Sequence, residues 1–591
     1  MPSPMPAPVT TRTQAPEGRA PGAAPAWGAS PGALHLAHWP ARLPRTVDVP
    51  QTTLGFNLEV AAARFPRKSA YVFFGRALDY ATLLAQVESL AGWLQASGLE
   101  PGGRVLLFMQ NCPQWVAAFY AVLRAGGVVV PINPMNRTDE LGHCIVDAGA
   151  RLAITSADLA GTLAEADARL DPSQRLRHML VARLADALPG VIDPAEAPAA
   201  AVLEWLQATY PVPPFATVWA DALAAGHRPA PATGKPDDLA LLAYTSGTTG
   251  LPKGCMHSHR TLMANAVAGQ WTHAGPETVA LGVVPMFHIT GLVFLVLVNV
   301  YQAATVVLLP RWDRELAARL IAHHRVSHWT CIPTMIVDLL GSPNLGSFDL
   351  TSLRNLSGGG AAMPEAVAER LQREFGLAFA EGYGLTETAA PSHLNPPERA
   401  KLQCLGMPIF GVDSRIVDPD TLRELPPGEA GEIVIRGPMV FLGYWGQPEA
   451  SVAAFVEIDG LRFFRTGDLG RVDADGYFFL TDRLKRMINA SGYKVWPSEV
   501  ELLLYKCPAI HEACVVGVAD AYRGETVKAF VVLRTEARGD TREQDIVGWA
   551  REHMAAYKVP RIVQFVDALP KTASGKIMWR ALQEAERAAS S

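Results

Sequence analysis

Cysteine is sparse. Seven are scattered over 591 residues, at Cys112, Cys144, Cys255, Cys331, Cys404, Cys507 and Cys514, with no CxxC pair and no zinc-like spacing. That excludes a disulfide-stapled scaffold and points to reduced thiols in a cytosolic protein. Charge of one sign is also lacking. The 52 basic and 57 acidic side chains nearly cancel, leaving no basic excess for nucleic acid and no acidic tail. The first 32 residues contain no continuous apolar run, so they are no secretory signal. They are poor in acids, but their prolines oppose the amphipathic helix of a transit peptide. A disordered Pro/Ala-rich tail is expected over residues 1–47. Long apolar runs are equally scarce. Residues 289–309 are uncharged and long enough to span a bilayer, but Asn299, Tyr301, Gln302 and Thr305 interrupt them. The expected arrangement is an apolar helix over 292–300 and a buried strand over 304–309, with no transmembrane segment. Peripheral contact with a membrane stays compatible with this reading.

What is present fits a globular protein of several domains. Apolar residues make up 49% and charged residues 18%, and 591 residues exceed one core. From Asp79 the chain reads as α/β. Asp79 can cap a helix whose apolar face is Leu83, Leu84, Val87, Leu90, Ala91 and Leu94, with Gly98 at its C-terminal end. A short apolar strand over 104–108 follows, then a helix carrying Trp115, Phe119 and Val122, then a strand over 128–130. Strand, helix and strand with short links imply βαβ units and a parallel sheet. The pattern recurs at 239–244, 305–309 and 328–332. Pro and Ala crowd residues 195–236, read as a surface connection. After Asp482 the pattern changes to a small α+β domain, with helices over 499–505 and 541–553 and strands over 513–518, 527–533 and 562–566.

The most informative segment is Tyr244-Thr-Ser-Gly-Thr-Thr-Gly-Leu-Pro-Lys-Gly254, which follows a buried strand. Its glycines let backbone N–H groups face a concavity. Thr245, Ser246, Thr248 and Thr249 add hydroxyls, and Lys253 adds a point charge. The combination suits a polyphosphate. It is not a Walker A loop, because no Gly-Lys-Ser/Thr closes it. His257 and His259 form an HxH pair, and His323, His324 and His328 lie close in sequence. No carboxylate or cysteine stands at ligand spacing from them, so none is read as a metal site.

The loop resembles the signature phosphate loop of the adenylate-forming superfamily, which includes acyl-CoA synthetases, luciferases and peptide-synthetase adenylation domains. Further motifs follow in that family's order. They are Pro285-Met-Phe-His288, Gly358-Gly-Gly-Ala-Ala-Met-Pro364, Gly382-Tyr-Gly-Leu-Thr-Glu387 and Arg465-Thr-Gly-Asp468. Asp482-Arg-Leu-Lys-Arg-Met-Ile-Asn489, Ser491-Gly-Tyr-Lys494 and Pro570-Lys-Thr-Ala-Ser-Gly-Lys576 complete the set. The resemblance implies an α/β fold: a large N-terminal AMP-binding domain with parallel-sheet subdomains over 48–482, and a small mobile α+β domain over 483–591. It implies ATP, CoA and Mg2+ as cofactors, a carboxylic acid as substrate and no nucleic-acid partner.

The same resemblance assigns roles. Thr245, Ser246, Gly247, Thr248, Thr249 and Lys253 hold the triphosphate. Glu387, with Thr245, holds magnesium. Thr386 contacts the α-phosphate. Gly360, Ala361 and Ala362 leave room for adenine, beside Glu381, Gly382 and Tyr383. Asp468 and Arg483 take the ribose side, and Asn489 a further nucleotide contact. Lys576 acts in adenylation, and Lys485 is the hinge on which the small domain swings. Gly492 and Lys494 serve CoA, and His288 gates the acyl carboxylate. Ser491 departs from the lysine of luciferases and plant ligases, which weighs against a luciferase. The implied reaction is ATP-dependent acyl-CoA synthesis. No Asp or Arg lies in the apolar run after His288, so a medium- or long-chain fatty acid is expected. An aryl acid is the alternative, and a non-catalytic AMP- or acyl-binding protein is another.

Overall fold

The computed structural model describes residues 31–590 apart from 246–251, 273, 361–362, 484–485, 487, 491–492, 496, 521–523 and 572–576. Two sheets dominate the described chain. The first has seven strands in the order Ala216–Val218, His178–Ala182, Leu152–Ser156, Arg104–Phe108, Val128–Pro131, Leu239–Tyr244 and Gly254–Ser258. All neighbours are parallel except the last pair, a hairpin. The second has nine strands. Its parallel centre runs Phe379–Leu385, Asn355–Gly359, His328–Cys331, Val279–Gly282, Thr305–Leu308 and Ser69–Phe73. Antiparallel strands finish both edges.

The helix Pro113–Arg124 joins the two sheets. Almost all its side chains are buried, and it packs on strands of both sheets. A helix apolar on every face belongs inside a core, and one continuous core spans both sheets. The helix Tyr80–Ala96 is capped as expected. The Asp79 carboxylate accepts from Thr82 N at 2.7 Å, and Gly98 follows the helix end with φ 85°.

The uncharged run folds inside the protein. Ile289–Gly291 is helical, Leu292–Leu297 is a π-helix, Val298–Gln302 is α-helical and Thr305–Leu308 is a strand. The expected single helix is thus widened at its centre. The Asn299 amide donates to the Phe294 carbonyl there. The Tyr71 hydroxyl donates to Leu295 O at 3.1 Å, and that of Tyr80 to Ala304 O at 2.6 Å. No helix among the described residues is long and apolar enough to cross a membrane.

A third sheet is antiparallel and built from Asp413–Val417, Gly431–Arg436, Phe455–Ile458, Leu461–Val472 and Phe478–Arg483. The small C-terminal domain carries its own sheet and core, with Ile510–Asp520 and Gly524–Leu533 as its long pair. Its final helix, Trp579–Ser590, was not foreseen from sequence.

Two expectations are corrected. The tail over 1–47 does not extend as disorder to residue 47, because the chain from Pro31 docks on the body. His35 is 3% exposed, and Trp39 meets Trp271 and Phe410 at centroid distances of 5.0 and 5.6 Å. Arg42 donates to the Trp271 carbonyl at 2.6 Å. Composition hid this, because two aromatic anchors weigh little among many prolines. Residues 195–236 are likewise more than a surface connection. They contain the helix Ala200–Gln207, the edge strand Ala216–Val218 and the helix Trp219–Ala224, with Leu206, Trp219 and Ala222 buried.

The docked segment generates a stability test. Trp39→Ala removes a half-buried indole from an aromatic cluster, which should cost about 2 kcal/mol. Urea unfolding of the full chain measures it. A change within a few tenths of a kcal/mol would show that the segment only rests on the surface.

Candidate active site

The phosphate-loop motif is held by a hairpin. The strands Leu239–Tyr244 and Gly254–Ser258 pair up to Tyr244 and Gly254, and Thr245 N donates to Lys253 O at 3.0 Å. The loop between is therefore pinched at its base, with Thr245 and Lys253 at its two ends. Ser246, Gly247, Thr248 and Thr249 lie outside the described residues. Tyr244 closes the floor, its hydroxyl donating to Asp147 Oδ2 at 2.5 Å.

The free edge of this hairpin is covered. Met256 N donates to Gly443 O at 3.0 Å, Leu442 N to Met256 O at 2.9 Å and Trp445 N to Gly254 O at 2.8 Å. That pairing sets Tyr444 between two motif residues. Its ring lies 5.1 Å from Lys253 Nζ, and its hydroxyl donates to Glu387 Oε1 at 2.9 Å. Burial, then the Glu387 charge, holds the Tyr444 phenol well above its ordinary pKa, so it stays a donor. The same two causes raise the buried Cys255 thiol, which is inert there.

The turn carrying Thr386 and Glu387 is fixed from below. His257 Nε2 lies 2.8 Å from the Thr386 carbonyl, and a carbonyl only accepts, so that nitrogen carries the proton. Burial lowers the His257 pKa to about 4, keeping the ring neutral. The Asn265 amide donates to the carbonyls of Ala389 at 2.6 Å and Pro391 at 3.1 Å. Ala389 and Ala390 take φ of 50° and 71°, a strained path that these bonds hold. Gly384 admits the turn: a Cβ there would sit 1.6 Å from the Ala390 carbonyl oxygen.

The remaining motifs converge at the carboxyl ends of the second sheet's strands, where open α/β sheets bind ligands. Gly358 lets adjacent strands close up, since a Cβ would lie 1.8 Å from the Cys331 carbonyl oxygen. Gly359 pairs in register with Gly382, and Gly360 follows with φ 85°. Tyr383 donates its hydroxyl to Asp468 Oδ2 at 2.7 Å, and Asp468 is 3% exposed. The third sheet sets Arg483 opposite Asp468 in register. Thr466 Oγ accepts from Asp468 N at 3.0 Å, forming the tight turn. A cavity of about 380 Å³, lined by Arg354, Gln372, Gly376 and Arg399, opens at the amino ends of these strands, away from the motifs.

Other expected residues stand as follows. His288 is exposed and caps the helix start, its Nδ1 accepting from Thr290 N at 3.2 Å. Glu381 faces the scaffold: its carboxylate accepts from Gln403 N at 2.9 Å and from Met363 N. Asn489 and Lys494 pair in register on neighbouring strands of the small domain. Ala361, Ala362, Lys485, Gly492 and Lys576 lie outside the described residues. Sequence reasoning missed Tyr444, His257 as a turn support, and Asn265. Tyr444 stands in Gly443-Tyr444-Trp445, where one aromatic in a loop gives no signal of its neighbours.

The motifs, the sheets and the small C-terminal domain define an enzyme that forms adenylates. The AMP-binding enzyme family model matches residues 58–445, and the model for the AMP-binding enzyme C-terminal domain matches 499–576. The chain belongs to this family, the adenylate-forming superfamily, and is an enzyme of its AMP-forming acid–thiol ligase class. It is 37% identical over 559 residues to a long-chain-fatty-acid–CoA ligase of Bacillus subtilis, covering 93% of this chain and 98% of that protein. It is 37% identical over 519 residues to a feruloyl-CoA synthase of Amycolatopsis, covering 87% of this chain and 95% of that one. Among solved structures, ATP-bound MatB from Rhodopseudomonas palustris superposes with a TM-score of 0.76. The two are 29% identical, over 90% of this chain and 99% of that one.

Two predictions follow from this geometry. Tyr444→Phe removes the hydrogen bond that orients Glu387 but keeps the ring beside Lys253. Adenylation should slow by about tenfold, on the scale of one preorganising hydrogen bond of 1–1.5 kcal/mol, with the melting temperature little changed. Pyrophosphate exchange measures it, and wild-type exchange rates would refute the orienting role.

The second concerns Glu381, whose pKa burial raises to about 7. The native state holds this proton more tightly than the unfolded chain does. Its contribution is therefore full below pH 4.5 and is lost as pH rises through 7. The loss is on the order of 3 kcal/mol for a shift from 4.5 to about 7. Relative to wild type, Glu381→Gln should gain melting temperature between pH 5 and pH 8. A difference that stays flat with pH would place the carboxylate in an ionised, well-solvated state.

Proposed function

We propose that the chain is an ATP-dependent acyl-CoA synthetase acting on a medium- or long-chain fatty acid. A carboxylate oxygen of the acid attacks the α-phosphorus of ATP and pyrophosphate leaves. The CoA sulfur then attacks the acyl carbon and AMP leaves. The first step needs phosphate charge neutralised and the reactants held in line. Thr245, Ser246, Gly247, Thr248, Thr249 and Lys253 hold the polyphosphate, and Thr386 the α-phosphate. Asp468 and Arg483 hold the ribose. Lys576 stabilises charge growing between carboxylate and phosphorus, and Lys494 meets CoA phosphate.

The residues at the pinched loop fit magnesium. Glu387, oriented by the Tyr444 hydroxyl, and the Thr245 hydroxyl make an oxygen donor set, which a hard cation takes together with phosphate. When bound, the ion supplies further neutralisation of phosphate charge.

The observation that carries the fatty-acid reading is the segment behind His288. Residues 289–309 contain no charge, and their apolar side chains are nearly all buried in the core. A widened π turn sits in the middle of the run, a feature common at functional sites. The Bacillus subtilis likeness supports the same reading. The feruloyl-CoA synthase likeness, at equal identity, keeps an aryl acid as the second reading.

Pyrophosphate release with and without CoA, across octanoate, dodecanoate, palmitate, ferulate and malonate, tests it. Each methylene buried is worth up to about 0.8 kcal/mol, or roughly fourfold in kcat/KM. Turnover efficiency should rise with chain length and depend on CoA. Ferulate exceeding every fatty acid would replace this reading with the aryl one.

A further inference from the structure

We infer that Glu196, His323 and His324 form a binding site for a divalent transition-metal ion, zinc by its ligand set. Glu196 comes from the Pro/Ala-rich connection. The histidines come from the last turn of the helix Arg314–His324, so spacing in the sequence concealed the group. Their ligand atoms all lie within 4.8 Å of one another. Glu196 Oε2 is 2.9 Å from His324 Nε2, and Glu196 Oε1 is 3.6 Å from His323 Nε2. The edge of a tetrahedron with bonds near 2.1 Å is about 3.4 Å, which those two separations bracket.

The hydrogen bonding points the same way. Glu196 is 3% exposed, and burying a carboxylate is costly without a partner. Yet neither Glu196 Oε2 nor His324 Nε2 makes a hydrogen bond, although they are in close contact. The approach is near enough for an ion pair but out of line for N–H···O. Two buried ligand atoms in close contact, neither with a hydrogen-bond partner, suit a cation between them. The site is also built. Arg319, one turn before His323 on the same helix face, donates to Ala197 O at 2.7 Å. The Asp193 carbonyl accepts from Glu196 N at 2.8 Å, so the backbone carrying Glu196 is held on both sides. A Cβ on Gly75 would lie 3.2 Å from Glu196 Oε1, so the hairpin before Arg76 covers the carboxylate. The helix C-terminus adds negative potential, which favours a cation.

Two imidazoles and one carboxylate suit zinc, with cobalt and nickel as chemical relatives. His323 is 40% exposed in its side chain, giving the ion a path and leaving a position for water. None of the nucleotide or acyl motif residues belongs to this cluster. The ion acts as a clamp. It ties the connection after the first sheet's strand His178–Ala182 to a helix that packs on the second sheet.

The test uses the full chain, stripped of metal by a chelator and titrated with zinc ion in a calorimeter. Cobalt(II) absorption reports the coordination. Wild type should bind one zinc ion per chain, give the intense visible bands of tetrahedral cobalt and melt at higher temperature with zinc. Glu196→Gln and His324→Ala should each weaken zinc binding on the order of a hundredfold and abolish the zinc-dependent rise in melting. His323→Ala changes an exposed side chain, and it should lose affinity with its zinc-free melting temperature unchanged. Circular dichroism checks that each variant folds. Absence of zinc binding by wild type would overturn the site. So would zinc affinity and cobalt spectra unchanged in His323→Ala and His324→Ala.

Discussion

The pairing of residues 442–445 with the strand Gly254–Ser258 is the contact on which the candidate site depends. That strand closes the first sheet, and its outer edge would otherwise present unpaired backbone groups. Three backbone hydrogen bonds of 2.8–3.0 Å cover it. Through them a loop that leads into the third sheet's region is locked to the phosphate-loop hairpin. The Trp445 indole donates to the Asp147 carbonyl at 3.0 Å, and Ser451 Oγ accepts from Tyr444 N at 2.8 Å, so the segment is held along its length. Tyr444 then spans Lys253 and Glu387. A cationic and an anionic side chain from distant parts of the chain acquire one geometry because a single strand edge is filled.

Burial shifts several ionisable groups of this part of the fold toward their neutral forms. Burial lowers His257 to about 4 and His393 to about 3, and it raises Glu381 to about 7. The neutral His257 imidazole donates to the Thr386 carbonyl without adding a charge beside Glu387. The cost is local, in a carboxyl that resists ionisation and a backbone bent through two alanines at positive φ.

Much of this was legible in the sequence. The hairpin on either side of the Gly/Thr-rich loop was readable, because an apolar strand leads into the loop and glycine follows it. The cap at Asp79 and the short βαβ strands were readable because their signals are local. What failed was long-range. Trp39 and His35 sit in a segment whose prolines suggest disorder, and it is held by contacts distant in sequence, among them Trp271 and Phe410. Glu196 looks like one acid in a Pro/Ala-rich connection until the fold brings the end of another helix against it. The π turn is set by packing and by the Asn299 amide, not by apolar periodicity. The carboxylate of Glu381, which the resemblance places among the nucleotide-binding residues, accepts from two scaffold N–H groups, a pairing set by contacts far apart in sequence.

The junction with the small domain is tied by named side-chain bonds. Asp482 is the next-to-last residue of the third sheet's last strand, yet its Oδ2 accepts from Ser498 N at 2.7 Å, and Ser498 Oγ donates to Thr481 O at 2.5 Å. Asp482 thus sits at the start of the helix Pro497–Leu504, where a carboxylate suits the helix dipole. Arg486, on the other side of Lys485, pairs with Glu501 of the same helix. Both flanks of the position expected to be the hinge are therefore tied to one helix. A rotation about Lys485 has to break the Asp482 side of this arrangement while the buried Arg486–Glu501 pair travels intact with the small domain. Hydrogen bonds of this kind are worth about 1–3 kcal/mol each, an amount that differential binding of substrates to two arrangements can supply.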